Sequence, residues 1–184
     1  GELYRDVIIA PPISLNFLEN SMVFGETKTK DLKLAVNTHT DNVTAEIQFE
    51  FPKGWKISPY RLNLYNEKKG QTFYYDVSLS AEEGAENGMI RAEIDCDGKN
   101  YNNSEVEIDY EHIDYINYFP TAQMPLVNID LKKKGKLIGY VKGAGDNVPE
   151  ALMQMGYKVE YLDENAIIQQ DLSKYDAIIT GIRA

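Results

Sequence analysis

Apolar and polar residues alternate with a period of two along most of the first 113 residues. The clearest run is Val43, Ala45, Ile47, Phe49 and Phe51, the pattern of a strand with one buried face. Pro52 cannot donate to a ladder and ends that strand, and Gly54 permits a sharp turn. Trp55 and Ile57 then offer a second apolar edge. Trp55 is the single tryptophan, and the largest apolar contribution available, so a core is expected to close around it. Similar alternation predicts strands over 31–37, 61–65, 71–79, 89–96 and 104–113. Residues 7–15, broken by Pro11 and Pro12, read as an edge strand, and 21–24 as a short apolar piece ended by Gly25. Asp97-Gly98 is a hairpin signal, because both central residues of a type I′ turn need positive φ.

About seven or eight short strands separated by turn signals predict an antiparallel β-sandwich, immunoglobulin-like in size, over 1–113. No pair of cysteines brackets Trp55, so an antibody-type domain is not expected. Residues 114–135 are punctuated by Pro120 and Pro125 and close on lysines, and read as a linker. From Lys136 the period changes. LIGYV at 137–141 is an apolar run suited to a strand buried on both faces. Helical stretches at 148–155 and 164–171 alternate with strands at 158–162 and 177–182. Asp146 or Asn147 is placed to cap the first helix and Gly156 to end it. This β-α-β-α-β series over 136–184 predicts a parallel sheet of order 2-1-3, a partial flavodoxin-like unit. The fold class is therefore mainly β plus α/β. Three such strands leave a sheet edge open, so dimerisation through 158–162 or 177–182 is a physical hazard, and missing partner strands are expected.

Composition narrows the function classes. The chain has 184 residues and a net charge of −10, which argues against nucleic acid, whose phosphates require cations. No apolar run approaches the roughly 20 residues of a membrane helix. The chain opens on Gly1 and Glu2 without a Met, as a mature or excised chain would, with Gly1 a candidate cleavage scar. The lysine cluster at 132–136 reads as solvated linker. One cysteine, Cys96, excludes an internal disulfide framework and reads as a plain strand residue.

Candidate chemistry is sparse. The sharpest local signal is Gly143-Ala144-Gly145-Asp146, a Gly-rich loop between a strand and a helix. Such a loop can cradle an anion, which makes Gly143, Gly145 and Asp146 the candidate ligand-binding residues. A tight turn before a capped helix needs the same glycines, and the dinucleotide and Walker patterns are incomplete. His39 and His112 lie far apart, and Asp109, Glu111 and Asp114 beside His112 alternate between faces. No metal ligand set, catalytic residue or cofactor is therefore assigned. Thirteen tyrosines, with clusters at 110–118 and 60–75, admit stacking on sugar rings as well as core packing.

Two passages carry a family likeness. FPKGWKISP, with the strands YNEKKGQTFYYDVSLS and AENGMIRAEI, resembles the Ig-like sandwich appended to many bacterial carbohydrate-active proteins, the alpha-galactosidase-associated or NPCBM-associated type. KLIGYVKGAGDNVPEALMQMGYKVEYLDE, followed by DLSKYDAIITGIRA, resembles the C-terminal region of large PIG-L (LmbE-like) deacetylases of Bacteroidetes-type bacteria. There a glutamine-amidotransferase-like α/β domain follows a sandwich. PIG-L enzymes remove N-acetyl groups from sugars with zinc held on a His-Pro-Asp-Asp motif. That motif has no counterpart here, so the resemblance carries over no catalytic residue. It implies a non-catalytic accessory or scaffolding region of an exported (periplasmic or extracellular) sugar deacetylase. Its partners would be its own missing catalytic and C-terminal segments. A carbohydrate-binding module gripping glycans with exposed tyrosines is the competing reading. A third is a small enzyme that uses Asp146 on a phosphorylated substrate.

Overall fold

The computed structural model describes residues 8–183. The expected scar at Gly1, the Val7 start of the first strand and the terminal Ala184 lie outside the described residues. The described residues divide into two compact units, 8–22 with 29–127 and 23–28 with 128–183.

The first unit is almost entirely β. One antiparallel sheet runs in the order β1 (Ile13–Phe17), β3 (Thr29–Thr38), β7 (Thr72–Ala81), β5 (Trp55–Ser58). A second runs β12 (Gln123–Asn128), β8 (Gly88–Cys96), β4 (Val43–Glu50), β6 (Arg61–Glu67), with β9 (Lys99–Tyr101) appended to β8, and the short β2 (Met22–Phe24) passes into the second unit. The alternation becomes burial. Leu32, Leu34, Val36, Val77 and Leu79 close one face of the first sheet, and Ile47, Leu64, Ile90 and Ile94 one face of the second. Trp55 is buried, and its indole N–H donates to the Glu86 carbonyl at 2.8 Å. Gly54 sits at φ +85°, where a Cβ would meet the Ala85 Cα at 2.7 Å, so the turn before Trp55 requires glycine. Asp97 (φ +52°) and Gly98 (φ +73°) make the expected hairpin turn. Cys96 is buried, and that burial pushes its thiol pKa up, as befits an unreactive strand residue.

Three expectations change. Residues 8–12 are not a strand, and β1 begins only at Ile13, after the two prolines. The 104–113 strand shortens to β10 (Val106–Ile108), which pairs with β11 (Ile116–Tyr118) as a separate two-stranded ribbon. The stretch 114–135, read as linker, carries β11 and β12. Ala122, Met124 and Leu126 are all buried at period two, an alternation that the punctuating prolines obscured.

The second unit holds a three-stranded parallel sheet in the order β14 (Lys158–Leu162), β13 (Leu137–Val141), β15 (Ala177–Thr180). Helix α1 (Val148–Gln154) joins β13 to β14, and α2 (Glu164–Gln169) with a 3-10 turn at Leu172–Lys174 joins β14 to β15. Leu162, Ala166 and Tyr175 form its core, with Leu137, Val141 and Leu172 against them. Gly139 in the central strand lets Leu162 and Tyr175 approach, since a Cβ there would lie 2.7 Å from a Leu162 methyl. The lysine cluster is not uniformly solvated. Lys133 is 14% exposed, donates to the Gly156 carbonyl at 2.6 Å and pairs with Glu26 at 3.4 Å. No helix among the described residues is long and apolar enough to cross a membrane.

Candidate functional site

The loop 142–147 leaves the C-terminal end of β13, beside the end of β15. In an open parallel sheet, ligands bind in the crevice outside these strand ends, where the chain order reverses. Here backbone closes that crevice. The Gly181 amide donates to the Val141 carbonyl at 2.8 Å, and the Ala144 amide donates to the Ile182 carbonyl at 2.8 Å. Gly143 packs directly on this turn, and a Cβ on it would lie 2.6 Å from the Gly181 carbonyl carbon. Gly145 has φ +62° with open space around it, so it serves the turn rather than a close approach.

The Asp146 carboxylate is bonded within its own chain. Its Oδ1 accepts from the Tyr140 hydroxyl at 2.5 Å and, more weakly, from the Val148 amide at 3.4 Å. Its Oδ2 accepts from the Ile182 amide at 3.4 Å. Tyr140 is buried in the central strand, and its hydroxyl reaches up to the loop. Desolvation, then the bond to Asp146, raises the Tyr140 pKa to about 12. The same bond comes first among the causes that hold Asp146 below the usual carboxylate range. A Cβ at Gly181 would meet Asp146 Oδ2 at 2.6 Å, so Gly181 makes room for the carboxylate. Thus the structure brings all three sequence-predicted residues together, along with Tyr140, Gly181 and Ile182. The carboxylate uses its own chain's donors. Asn147 is the N-cap of α1 but makes no side-chain cap bond. Helix α1 is only seven residues long, which limits the dipole available to attract a ligand.

A shallow cleft of about 540 Å³ lies along the C-terminal ends of β13 and β14, lined by Val141, Lys142, Tyr161, Leu162, Asp163 and Glu164. Its acidic members are partly spent, because the Asp163 side chain caps α2 by accepting from the Ala166 amide at 2.7 Å.

In the first unit the structure assembles a polar network that no local motif announces. Ser14 Oγ lies 2.9 Å from His39 Nε2, and Glu105 Oε2 lies 3.7 Å from that same nitrogen. Activation of a serine needs the carboxylate on the opposite ring nitrogen, and Ser14 is fully buried. The trio therefore cannot work as a hydrolytic relay. Glu105 instead accepts from Asn37 Nδ2 and Asn117 Nδ2, each at 3.1 Å. Asn16 holds the Glu105 backbone with both side-chain amide atoms. His112 stands apart beside Tyr110, with ring centroids 5.8 Å apart. Among the described residues no three His, Cys, Asp or Glu side chains converge as a metal site requires.

No family model matches the chain, and no curated protein is similar to it. Solved structures are matched distantly. A FixG-related protein from Vibrio parahaemolyticus is 8% identical at a TM-score of 0.41, over 65% of this chain and 98% of the other. An E. coli alpha-2-macroglobulin is 14% identical at a TM-score of 0.40, over 66% of this chain and 7% of the other. AvmM, which catalyses macrocyclization in alchivemycin A biosynthesis, is 10% identical at a TM-score of 0.35, over 69% and 96%.

Proposed function

We propose that this chain is a non-catalytic accessory region of a bacterial PIG-L-type sugar N-deacetylase, acting in the periplasm or outside the cell. The observation that carries the non-catalytic part is the Tyr140–Asp146 latch. In the Gly-rich loop the Asp146 carboxylate is bonded to Tyr140 and the Ile182 amide of its own chain, and the glycines serve the close approach of Gly143 and Gly181 and the turn at Gly145. The link to a deacetylase rests on the resemblance of 136–184. On this reading the antiparallel sheets are an Ig-like sandwich. The parallel unit of order β14-β13-β15 is the first part of a flavodoxin-like, amidotransferase-like domain, completed by segments of the parent enzyme. Fusing the chain to a PIG-L catalytic domain is expected to raise the thermal midpoint of that domain. Its turnover of a small N-acetyl sugar should stay unchanged. Acetate release by the isolated chain supplied with zinc, or saturable phosphate binding that Gly145→Ala abolishes, would overturn the reading.

A carbohydrate-binding role is the second reading, favoured by Tyr65 and Tyr74, which stand 71% and 73% exposed on β6 and β7. Tyr60 is less free, since the Arg61 guanidinium lies 5.2 Å over its ring. Calorimetric titration with oligosaccharides separates the two readings. Saturable heat lost in Tyr74→Ala would promote the binding module.

A further inference from the structure

The ribbon β10–β11 has two unlike faces. Cross-strand partners are Val106 with Tyr118, Glu107 with Asn117 and Ile108 with Ile116. Successive strand residues point to opposite sides, so Glu105, Glu107, Tyr115 and Asn117 share one face. That face is pinned to the first sheet. Asn117 Nδ2 donates to Glu105 and Glu107, Tyr115 donates its hydroxyl to Glu107 at 2.8 Å, and Glu105 is tied to Asn16 and Asn37. The opposite face carries Val106 and Ile108, both half-buried, and the exposed Ile116 and Tyr118, with Tyr110 continuing it toward the tip. Tyr110, Ile116 and Tyr118 are 61%, 45% and 47% exposed. A two-stranded ribbon is marginal in water, yet this one is tied to the first sheet through Glu105, while Tyr110, Ile116 and Tyr118 of its other side face out. Apolar side chains exposed together in this way mark an interaction surface.

Charge selects the occupant. From residue 100 to 131 the chain has no lysine or arginine, and Glu105, Glu107, Asp109, Glu111 and Asp114 fall within ten positions. Asp109, Glu111 and Asp114 are exposed around the tip. A second copy would bring the same acids against each other, in a chain whose net charge is already −10. An anionic lipid surface is repelled for the same reason. The aliphatic members of the face have no group to offer a sugar hydroxyl.

We propose that the outer face of β10–β11 is a docking surface for a protein segment that presents aliphatic side chains flanked by lysine or arginine. The apolar centre with its acidic rim has the anatomy of a protein interface core and border. The inference goes beyond the accessory role and does not depend on the deacetylase assignment.

The test uses the full chain, isotopically labelled, and a short synthetic peptide alternating isoleucine with lysine. Its isoleucine–glutamate counterpart is the control. The lysine peptide is expected to shift amide resonances within 105–118. Its affinity should fall about tenfold between low salt and roughly 0.5 M, where charges are screened within a few ångströms. Ile116→Ser with Tyr118→Ser should weaken binding at least about tenfold, and the resonances of the pinned face report whether the ribbon still folds. Asp109→Asn with Glu111→Gln alters exposed positions alone and should remove most of the salt dependence. Any of four outcomes overturns the proposal. These are no binding, equal binding of the glutamate peptide, shifts confined to other regions, or occupation of this face by a glycan, a vesicle or a second copy of the chain.

Discussion

Tyr140 and Asp146 share a 2.5 Å hydrogen bond in the second unit, and their titration is where the latch can be read directly. A tyrosine whose folded pKa is raised contributes stability that is fully present below its ordinary value of 10. That stability is lost as the pH climbs through about 12. Asp146 behaves oppositely, since its pKa is lowered; its share is present above the ordinary carboxylate value and lost as the pH falls below it. Ultraviolet titration is expected to show one tyrosinate forming near pH 12, and Tyr140→Phe should remove that step. Gly143→Ala forces a methyl against the Gly181–Ile182 backbone and should cost about 1–3 kcal/mol. Gly145→Ala, with open space but φ +62°, should cost about 1–2 kcal/mol. Hydrogen exchange of the 137–182 amides measures both. In the first unit, Trp55→Ala should cost about 3–5 kcal/mol in a urea titration. Trp55→Phe keeps a ring but abandons the bond to Glu86 and should lie in between.

At the scale of elements, strand β14 shows how an edge is managed. Glu160 accepts from Lys158 at 2.8 Å, from Lys174 at 3.0 Å and from the Tyr175 hydroxyl at 3.1 Å. These bonds, Lys158 first, bring its pKa down to about 2. A carboxylate depressed in the fold contributes stability that is complete above its ordinary 4.5 and drains away as the pH falls toward about 2. Glu160→Gln should therefore flatten the acid limb of the stability profile between those values, measured as thermal midpoint against pH. The change should shrink at high salt, because the pairs are exposed. Strand β15 has no such protection. Ala177, Ile178, Ile179 and Thr180 carry no charge, and Ile178 is exposed. Here the element exposes an apolar edge of the kind that charged residues usually guard.

Across the whole molecule, charge is the property that decides partners. With −10 spread over 184 residues, fluorescence anisotropy at physiological salt should detect no retention on DNA or RNA, because no counterions are released on binding. The acidic ribbon at 105–114 is the local form of the same bias. Much of the fold is legible in the amino-acid sequence. Period-two alternation located β3, β4, β7 and β8, Asp97-Gly98 located the β8–β9 hairpin, and the change of period at Lys136 marked the parallel unit. Boundaries were lost where prolines punctuated a real strand, as at Pro125 in β12. They were also lost where alternation continued without burial, as at Tyr110. The candidate loop was legible as a turn at Gly143, Gly145 and Asp146. Its partners were not, because Tyr140 reaches Asp146 from β13 and Ile182 from the turn after β15, and no local spacing encodes that meeting.

The sequence by itself determined the β-rich character, the parallel tail, the acidic balance and the position of the Gly-rich turn. These depend on near neighbours along the chain: periodicity, proline, glycine and net charge. Only the tertiary structure decided that Asp146 is spent on Tyr140 and the Ile182 amide. It alone decided that Ser14 and Glu105 meet at one ring nitrogen of His39, and that one face of the β10–β11 ribbon is pinned while the other exposes Ile116 and Tyr118. Each of these depends on groups distant in sequence meeting within a few ångströms, and hydrogen bonds and desolvation act only at that range.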